Sequence, residues 1–493
     1  MLLLGIDLGS SSIKLSVVDS EAGCELASVT APKQEMPIIS VMPGYAEQDP
    51  DQWCQHLKSG IGELRKKGID TKEIGAIGIA YQMHGLVCLD QNLNAIRPAI
   101  IWCDSRAVEI GHQGTASLGK AYCKTNLLNE LGNFTASRWR WLLEHEPLTA
   151  QKIRYVMLPG DYIATRLSGL VTSTASGLSE AILWDYSNNK PATSVIQHWG
   201  LNKEALCPLV ESFSVQCTVS RNGADEFGLK CGTPISYRAG DQPNNAIALR
   251  AINKGDIAST AGTSAVLYAC SAEARADPCG RLNTFLHPTP SDSTPLYGLL
   301  MCINGGAHAY AWLRRLMRVA SYDELNKAAE NAPPGSEGLK FLPFGNGSER
   351  ILLNHDPKAA WKNLDFNRHD LSHMARSVQE GIAFAMQYGL ELIEELGSEA
   401  KCIKAAHANL FLSASFAQTV SALSGLPVEI YKTSGAQGAA RAAGYGVGYY
   451  SSLKEALSAT NLHRINTPEH SSSPLLQREY QKWRAQLNKS MNE

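Results

Sequence analysis

The sequence lacks several features that would place it in a particular class of protein. It has no uninterrupted apolar run near the roughly 18 residues that a membrane-spanning helix needs. It also has no run of Lys and Arg, and its formal net charge is -2, which argues against a nucleic-acid or anionic membrane surface as a partner. The opening Met1–Leu4 lacks the basic segment of a signal peptide and leads directly into Gly5 and Asp7. We therefore expect a cytoplasmic protein without nucleic-acid or membrane partners.

Cysteine is present but is not arranged for cross-linking. The 12 cysteines occur singly and never form a Cys-x-x-Cys pair. A chain of 493 residues with 44% hydrophobic residues can build a core without disulfides, so we expect reduced thiols. The same length exceeds one ordinary core and predicts two large domains. Strands alternate with helices along the chain, which indicates an α/β protein in which helices cover a sheet.

The N-terminal segment predicts a β-hairpin. The segment Leu2–Asp19 reads as a buried apolar strand, a tight Gly-Ser turn and a second strand in which Ile13, Leu15 and Val17 alternate with polar residues. Backbone N–H groups and hydroxyls in such a turn can hold phosphate oxygens. Asp7 lies at the end of the apolar strand, where an unpaired carboxylate is costly, so a divalent cation beside it would explain its presence. A cap on the hairpin turn is the alternative role for Asp7.

A similar pattern recurs in the second half of the chain. In Gly255–Ala269, an apolar strand enters a turn of Gly262, Thr263 and Ser264, and a second strand leaves it. Both turns combine glycine with hydroxyl residues, so the chain resembles a duplicated unit with one phosphate-binding hairpin in each half. Two such hairpins predict a nucleotide in a cleft between two lobes.

A carboxylate precedes the second hairpin. The segment Arg238–Asn245 places Asp241 on a glycine-flanked turn, shortly before the hydroxyl turn. Gly, Asp, Pro and Asn are ordinary turn residues, so a purely structural turn is the alternative. Together with the matching N-terminal element, a carboxylate beside a phosphate-binding turn favours a kinase site in which a base meets a phosphate.

The loop after a predicted strand at Ile74–Ala80 contains Gln82, Met83 and His84. Loops at strand ends commonly form binding sites in α/β folds. The amide of Gln82 and the imidazole of His84, which is followed by a glycine, favour hydrogen bonds with sugar hydroxyls. A histidine packed beneath the loop is the alternative.

The segment Arg97–Arg106 combines an aromatic residue, a carboxylate and a guanidinium at another strand end. Sugars need polar partners for their hydroxyls and apolar cover for their C–H faces, which fits Asp104 and Trp102. The structural alternative is an internal Asp104–Arg106 ion pair beside a buried tryptophan. The residues alone leave both interpretations open.

Three other elements are predicted from periodicity and composition. Apolar residues three or four apart predict an amphipathic helix over Arg376–Gly397, and the segment Leu339–Phe344 predicts a strand. A segment rich in Ser and Pro precedes a polar helix near Leu475–Leu487. We expect this tail to be a linker and a surface helix.

The order and content of these motifs indicate a family resemblance. The sequence resembles the FGGY family of carbohydrate kinases over nearly its full length, and within that family it is most similar to the xylulokinases. Each motif alone is common, but so many in the same order would rarely arise by chance. The matching stretches are Gly5–Lys14, Pro43–Pro50, Gln82–Gly85, Trp102–Arg106, Leu158–Tyr162, Ala239–Asp241, Ala261–Ser264, Phe341–Phe344 and Gln379–Phe384.

The resemblance implies a two-lobed fold of the actin and hexokinase type, with duplicated ribonuclease H-like domains around a central cleft. It implies an ATP- and Mg²⁺-dependent kinase for the terminal hydroxyl of a ketopentose, with D-xylulose as the expected substrate and D-xylulose 5-phosphate as the product. The alternatives are an acceptor such as ribulose, glycerol or gluconate, or a non-catalytic sugar- or nucleotide-binding relative. We expect an N-terminal domain over 1–246, a C-terminal nucleotide-binding domain over 247–465 and a tail over 466–493. The family likeness also makes a homodimer plausible.

The resemblance also implies roles for individual residues of this sequence. Asp241 is the expected catalytic base, and Asp7 is the expected acidic group near the magnesium ion and the phosphates. The expected substrate contacts are Gln82, Met83, His84, Trp102, Asp104, Asp241 and Gln242. The expected ATP contacts are Gly9, Ser11, Ser12, Lys14, Gly262, Thr263, Ala408 and Asn409.

The sequence departs from the family pattern at two places. Lys404–Ser413 stands where most members have a glycine-rich adenosine loop, whose glycines let the base approach the backbone. This difference puts the adenine contacts of Ala408 and Asn409 in question. It indicates either a different phosphoryl donor or a sequence feature shared by a subgroup of the family. Arg138 stands where the family usually has a lysine. Because the charge is kept, we expect this second difference to have little effect.

Overall fold

Two mixed β-sheets, one in each half of the chain, organise the protein. The structure is a computed structural model that describes residues 1–353, 355–469 and 473–492. The strands are β1 (Leu2–Leu8), β2 (Ile13–Asp19), β3 (Glu25–Ala31), β4 (Glu47–Gln48), β5 (Ile74–Tyr81), β6 (Val87–Leu89), β7 (Ala99–Ile100), β8 (Tyr155–Met157), β9 (Ser173–Thr174), β10 (Trp184–Asp185), β11 (Lys190–Pro191), β12 (Leu209–Val210), β13 (Phe213–Thr218), β14 (Pro234–Gly240), β15 (Asp256–Ala261), β16 (Ala265–Ser271), β17 (Asn283–Leu286), β18 (Tyr297–Ile303), β19 (Lys340–Pro343), β20 (Ala359–Lys362), β21 (Cys402–Ala406), β22 (Val428–Lys432) and β23 (Asn461–Asn466). The helices are α1 (Pro50–Lys66), α2 (Val108–Leu118), α3 (Lys120–Tyr122), α4 (Thr135–His145), α5 (Pro147–Ala150), α6 (Pro159–Ser168), α7 (Ala175–Glu180), α8 (Thr193–His198), α9 (Arg221–Phe227), α10 (Asp241–Ala248), α11 (Gly306–Leu316), α12 (Tyr322–Asn331), α13 (Leu371–Glu395), α14 (Ala414–Ser424), α15 (Gly435–Gly446), α16 (Leu453–Ala456) and α17 (Ser473–Asn492).

The two sheets share one topology. The first has the order β13-β14-β5-β1-β2-β3, in which β1, β2 and β3 form an antiparallel meander and β5 and β14 add parallel strands beyond β1. The second has the order β17-β18-β16-β15-β21-β22-β23, with β15, β16 and β18 antiparallel and β21 and β22 parallel beyond β15. Each sheet therefore has a meander on one side of its first strand and two parallel strands on the other. This confirms the predicted duplicated, ribonuclease H-like α/β fold.

Helix α15 crosses from the second half of the chain onto the first sheet. It follows β22 of the second sheet, yet it packs directly on β1 and β5. A Cβ added to Gly5 would lie 1.7 Å from the carbonyl oxygen of Ala436, and one added to Gly78 would lie 2.0 Å from that of Ala439. Glycine at these positions therefore lets the helix backbone approach the sheet.

Helix α10 makes the reciprocal crossing. It follows β14 of the first sheet, and its Ala246 packs in one buried cluster with Ala258 and Tyr268 of the second sheet. Each half of the chain thus supplies a helix that covers part of the other half's sheet. Both helices begin at the junction between the lobes, and this places their N-termini at the cleft.

The long helix of the second lobe begins earlier than its periodicity predicts. We predicted Arg376–Gly397, and α13 covers Leu371–Glu395. The side chain of Asp370 accepts hydrogen bonds from the N–H groups of the first turn and so extends the helix at its start. The helix ends just before Gly397, whose φ of +79° favours glycine.

The C-terminal helix belongs to the core of the second lobe. In α17, Tyr480 and Trp483 are fully buried, and the indole N–H of Trp483 donates to the carbonyl oxygen of Phe341 in β19 over 2.8 Å. The prediction of a surface helix was therefore wrong, because a few large apolar side chains form one stripe on an otherwise polar helix. The linker predicted before this helix includes residues 470–472, which lie outside the described residues.

The structure also bears on the cysteines and on membrane-spanning segments. The 12 cysteines are free, and Cys54, Cys88 and Cys270 are among those that are buried. Over the described ranges, no helix is both long enough and apolar enough to cross a membrane.

Candidate active site

The first predicted phosphate hairpin lies between β1 and β2. The N–H of Gly9 donates to the carbonyl oxygen of Ser12 over 3.0 Å and closes the turn. The carbonyl oxygen of Ser10 accepts from the side-chain amide of Gln48 over 2.6 Å, so the turn is also held by a neighbouring segment. Ser11 is exposed in this turn. The hairpin is therefore a fixed turn with a hydroxyl open to a ligand.

The second predicted hairpin lies between β15 and β16. The carbonyl oxygen of Gly262 accepts from the N–H of Ala307 in the first turn of α11 over 3.0 Å. Thr263 is exposed at the tip of the turn. A Cβ on Gly262 would lie 3.1 Å from the Nδ2 atom of Asn409. Two predicted ATP contacts from distant parts of the chain, Gly262 and Asn409, therefore lie side by side.

The segment that replaces the glycine-rich adenosine loop is compact. Lys404 at its start is engaged with Asp256, with 2.9 Å between Nζ and Oδ1. The N–H of Ala408 donates to the carbonyl oxygen of Ala406 over 2.7 Å. Asn409 has a φ of 55°, a left-handed conformation that Asn tolerates better than most residues. Asn409 thus adopts a backbone conformation that glycine adopts most readily.

Asp7 lies in β1, opposite Lys14 of β2 in the antiparallel register. Its Oδ2 atom is 2.5 Å from the position of a Cβ on Gly435, the first residue of α15. Burial raises the pKa of Asp7, and the charge of Lys14 opposes that rise. The alternative that Asp7 caps the hairpin turn is not what the structure contains, because no donor of the described turn residues bonds to its carboxylate. The carboxylate instead lies at a helix N-terminus, where negative charge is stabilised.

The surroundings of Asp7 fit a magnesium ion that is held mainly by other ligands. Within the described residues, no group of three or more His, Cys, Asp and Glu side chains is placed to hold a metal. Magnesium in kinases is usually bound through one or two carboxylates, with phosphate and water oxygens completing its shell. Asp7, whose carboxylate accepts from no donor among the described residues, meets this requirement. We find no feature of the donor set that conflicts with Mg²⁺.

Asp241 is the first residue of α10, directly after Gly240 at the end of β14. Burial and the negative charge of Asp7 raise the pKa of Asp241 to about 7, while hydrogen bonds from Gln242 oppose the rise. A Cβ on Gly240 would lie 2.6 Å from the Cγ atom of Met83. The structure therefore brings Asp7, Asp241 and Met83, which come from distant parts of the sequence, close together.

Gln82 and Met83 follow β5 and are both buried. The N–H of Gln82 donates to the carbonyl oxygen of Leu8 at the end of β1 over 2.7 Å. Its side-chain amide donates to Oε1 of Gln48 over 3.1 Å, and Gln48 in turn holds the first hairpin. The Oε1 atom of Gln82 is buried and has no hydrogen-bond partner among the described residues. This leaves one oriented acceptor in the predicted sugar loop.

His84 has a fixed orientation and a defined tautomer. Its Nδ1 atom is 2.9 Å from the carbonyl oxygen of Glu180, which can only accept, so Nδ1 carries the proton. Burial lowers the pKa of His84 to about 3, so the imidazole is neutral and Nε2 is an acceptor. The ring packs against Phe134 at 4.9 Å and against Phe285 of the second sheet at 5.3 Å. The ring is therefore packed beneath the loop, as the alternative predicted, and its Nε2 atom is an acceptor.

Arg138 holds the sugar loops in place, a role that the sequence did not indicate. It is fully buried in α4, and its Nη1 atom donates to the carbonyl oxygen of His84. Its Nη2 atom donates to the carbonyl oxygen of Trp102 over 2.8 Å and to that of Asp104 over 3.3 Å. The planar guanidinium therefore joins both loops, whereas a lysine offers a single point charge. The expectation that a lysine would differ little here stays a prediction, and these hydrogen bonds argue against it.

Asp104 is an internal anchor and does not face the substrate. It is fully buried, accepts from the N–H of Ala46 over 2.6 Å, and pairs with Arg106 over 2.7 Å. The prediction that Asp104 contacts sugar hydroxyls is therefore corrected in favour of the ion pair. Trp102 differs from that alternative, because it is 42% exposed, and its indole N–H donates to the hydroxyl of Ser10 over 3.4 Å. Its aromatic face lies beside the first hairpin.

Glu180 was missed entirely by the sequence reasoning. It is the last residue of α7, is 2% exposed, and has an Oε2 atom 2.8 Å from the position of a Cβ on Gly240. Nothing in its sequence context distinguishes it from a surface glutamate at the end of a short helix. Only the fold brings it next to Asp241.

Two family models match the chain in sequence order. The model for the FGGY family of carbohydrate kinases, N-terminal domain, matches residues 2–248. The model for the C-terminal domain of the same family matches residues 257–447. The matched ranges include both hairpins and every predicted site residue.

Curated relatives resemble the chain over most of its length. The xylulose kinase of Bacillus subtilis (strain 168) is 26% identical over 456 residues, which cover 92% of this chain and 90% of that protein. The xylulose kinase of Escherichia coli (strain K12) is 26% identical over 470 residues, which cover 94% of each.

Solved structures share the architecture. A xylulose kinase from Rhodospirillum rubrum aligns with a TM-score of 0.88 at 22% identity over 100% of both chains. A gluconate kinase from Lactobacillus acidophilus aligns with a TM-score of 0.88 at 22% identity over 99% of this chain and 98% of that one. A glycerol kinase from Plasmodium falciparum, with ADP, aligns with a TM-score of 0.87 at 20% identity over 98% and 97%. At these identities the likeness shows the two-lobed fold.

Proposed function

The chain belongs to the FGGY family of carbohydrate kinases and is a phosphotransferase, and we propose that it uses ATP to phosphorylate the terminal hydroxyl of D-xylulose, giving D-xylulose 5-phosphate. The observation that carries this proposal is the position of Asp241, between the charge of Asp7 and the loop of Met83. A base between a phosphate site and a sugar loop is what transfer to an alcohol requires. The curated relatives that are named xylulose kinases support D-xylulose as the acceptor.

Asp241 orients the attacking hydroxyl and takes its proton. With its pKa raised to about 7, it is a stronger base than an ordinary carboxylate and is still ionised in part at neutral pH. Phosphoryl transfer passes through a loose transition state in which the proton moves late. Orientation by Asp241 and Gln242 therefore contributes more than proton abstraction.

The phosphate chain of ATP lies between the two hairpins. Backbone N–H groups and hydroxyls of both turns hold phosphate oxygens, and the exposed Lys14 adds a positive charge on one side. The N-terminus of α15 is directed at the same region, next to Asp7. Asp7 would hold Mg²⁺, which when bound offsets charge that develops on the phosphate oxygens. The residues assigned to ATP are Gly9, Ser11, Ser12, Lys14, Gly262, Thr263, Ala408 and Asn409.

The sugar lies against the loop that follows β5. Oε1 of Gln82 and Nε2 of His84 accept hydrogen bonds, so they suit hydroxyl donors. Trp102 offers an exposed aromatic face for the C–H side of the sugar. Arg138 and Asp104 do not touch the sugar in this proposal, but they fix the two loops that do.

We assign the sugar site to residues 1–246 and the nucleotide site to residues 247–465, with 466–493 as a tail that completes the second core. The family-model ranges of 2–248 and 257–447 support this division. A homodimer stays a prediction, and light scattering of the purified protein at micromolar concentration would test it.

A coupled assay of ADP release tests the function. The panel contains D-xylulose, D-ribulose, glycerol and gluconate, and we expect the highest kcat/KM with D-xylulose. Asp241→Asn should lower kcat by about 100- to 10,000-fold. The matched control is Asp225→Asn on the exposed face of α9, which should behave like the parent.

Three results would contradict the proposal in different ways. A higher kcat/KM with another acceptor would reject D-xylulose but keep the kinase. Full activity in Asp241→Asn would reject the assigned base. The absence of both ADP release and ATP binding by calorimetry would identify a non-catalytic relative.

A further inference from the structure

Glu180 is an exception among the buried acidic side chains. No hydrogen bond of ordinary distance and angle reaches either of its carboxylate oxygens from the described residues, although the side chain is 2% exposed. The hydroxyl of Tyr81 and the backbone N–H of His84 lie near enough only to oppose the rise in its pKa. Asp7, which is partly exposed, also lacks a donor among the described residues, but eight other buried carboxylates each have a charged or hydrogen-bonding partner. They are Glu47, Asp104, Asp161, Asp185, Asp256, Asp277, Glu380 and Glu479.

An unpartnered buried carboxyl group is costly whether or not it is ionised. Burial without a compensating hydrogen bond is unfavourable for a neutral polar group and far more unfavourable for a charge. Burial, and then the charges of Asp241 and Asp161, raise the pKa of Glu180, while the nearby Tyr81 hydroxyl opposes the rise. The protonated acid still has an O–H group to donate and oxygens that accept. A partner that arrives with a ligand would remove this cost.

Three contacts place the Glu180 carboxyl at the sugar site. Its Oε2 atom lies 2.8 Å from the Cβ position of Gly240, and the Cγ atom of Met83 lies 2.6 Å from the same point. The carbonyl oxygen of Glu180 also accepts the hydrogen bond that orients His84, over 2.9 Å. The carboxyl group is thus held where the ends of β5 and β14 meet, between the sugar loop and Asp241.

A second unsatisfied acceptor lies on the loop that follows β5. Oε1 of Gln82 is buried and has no partner among the described residues. Oε1 of Gln82 and Nε2 of His84 both need hydrogen-bond donors, and the hydroxyls of a neutral sugar or polyol supply them. The carboxylate of a sugar acid carries oxygens that only accept. Residues from both ends of the loop therefore favour the same chemical class of ligand.

We propose that Glu180 is a specificity-determining residue of the sugar site, whose carboxyl group hydrogen-bonds a hydroxyl of a neutral polyhydroxylated acceptor. The inference rests on the proposed function, and it narrows the acceptor to a ketose or polyol over a sugar acid. A site built to bond a substrate hydroxyl discriminates strongly against analogues that lack it, because its own polar group is then left unpaired. The Gly240 position is part of this arrangement, since a side chain there would occupy the same space.

Two variants test the proposal. Glu180→Ala removes the carboxyl group, and Glu180→Gln keeps its shape and hydrogen-bonding capacity without the acid. For the preferred neutral acceptor, we expect Glu180→Ala to raise KM by about 10- to 100-fold, with a smaller change in kcat. Glu180→Gln should retain most of this affinity. We also expect both variants to raise the ratio of kcat/KM for gluconate to that for the neutral acceptor.

The matched control is Glu63→Gln on the exposed side of α1, where Glu63 makes a surface ion pair with Lys66. Acceptor binding by calorimetry and thermal unfolding are measured on every variant. If Glu180→Ala does not fold, Glu180→Gln decides through its acceptor ratio. An unchanged KM in Glu180→Ala, or an unchanged acceptor ratio in Glu180→Gln, would overturn the proposal.

Failure of the proposed function gives a different result. If the parent phosphorylates another acceptor better than D-xylulose, the same measurements are made on that acceptor, and Glu180 is judged there. If gluconate is the best substrate of the parent, the inference about Glu180 is refuted while the kinase assignment stands. If the parent has no turnover, acceptor binding to parent and Glu180→Ala is compared directly, and equal affinity refutes it.

Discussion

The buried imidazole of His287 should lower the free energy of unfolding by about 2 kcal/mol at pH 5 relative to pH 8, and replacement of His287 with glutamine should abolish this loss. His287 follows β17 and is 2% exposed. Its Nδ1 atom is 3.1 Å from the hydroxyl of Tyr268, and Nε2 has no partner among the described residues. Burial lowers the pKa of His287 from 6.5 to about 4. The imidazole is therefore neutral in the folded protein at neutral pH.

The direction in which stability changes with pH follows from the number of protons that each state binds. In the unfolded chain His287 titrates near pH 6.5, so between that pH and pH 4 the unfolded state binds more protons than the folded state. Stability therefore falls as the pH falls through this window, and none of the loss is present well above pH 6.5. At pH 5 the loss is about 2 kcal/mol, and it approaches about 3 kcal/mol below pH 4.

The assay is urea unfolding of the parent and of His287→Gln at pH 8 and pH 5. The difference between the two pH values is compared between the proteins, so that the other titrating groups, including His84, cancel. His112→Gln, which changes an exposed histidine of α2, is the control and should keep the acid sensitivity of the parent. If His287→Gln loses as much stability as the parent between pH 8 and pH 5, the reasoning from burial is refuted.

Three further substitutions test the packing around the site. Arg138→Lys should leave at least one loop carbonyl without a donor and cost about 1–3 kcal/mol, with a raised KM for the acceptor; an unchanged KM would show that charge alone suffices. Gly78→Ala would place a Cβ 2.0 Å from the carbonyl oxygen of Ala439, so we expect a cost of about 1–3 kcal/mol and lost activity. Gly62→Ala in α1 is its control, because the nearest atom there is 3.9 Å away. Trp483→Ala should lower the stability of the second lobe by about 3–5 kcal/mol in thermal unfolding. A small effect would contradict the core position of α17 and support a surface helix.

The sequence pattern predicted those elements that are determined by interactions between residues close together in the sequence. The hairpin of β1 and β2 follows from an apolar strand, a glycine turn and a strand of alternating apolar and polar residues, and both strands lie within the predicted segment Leu2–Asp19. The recurrence at Gly262 predicted the duplication, which the strand orders of the two sheets confirm. Asp241 stood out because its carboxylate lies on a glycine-flanked turn shortly before the second hydroxyl turn and so matches the N-terminal element.

The errors concern side chains whose partners are distant in sequence. Asp104 was assigned to a sugar because its contact with Ala46 cannot be read from its own segment. The tail was assigned to the surface because Trp483 finds its acceptor, Phe341, more than a hundred residues earlier. No pattern in the sequence pointed to Glu180, because the residues that surround its side chain lie at the ends of β5 and β14, far from it along the chain. Tertiary contacts decided each of these roles, and one sequence does not display them.

The exchange of helices between the lobes bears on how the chain can be divided. A fragment that ends at residue 246 is cut inside α10, and it also lacks α15, the cover for β1 and β5. The complementary fragment would carry α15 with the apolar face of Ala439 and Ala440 exposed to water. Neither piece is then a self-sufficient folding unit. Co-produced halves should reassemble through these two crossings, and a polypeptide break would be best tolerated in the connection after α10, where both helices stay whole.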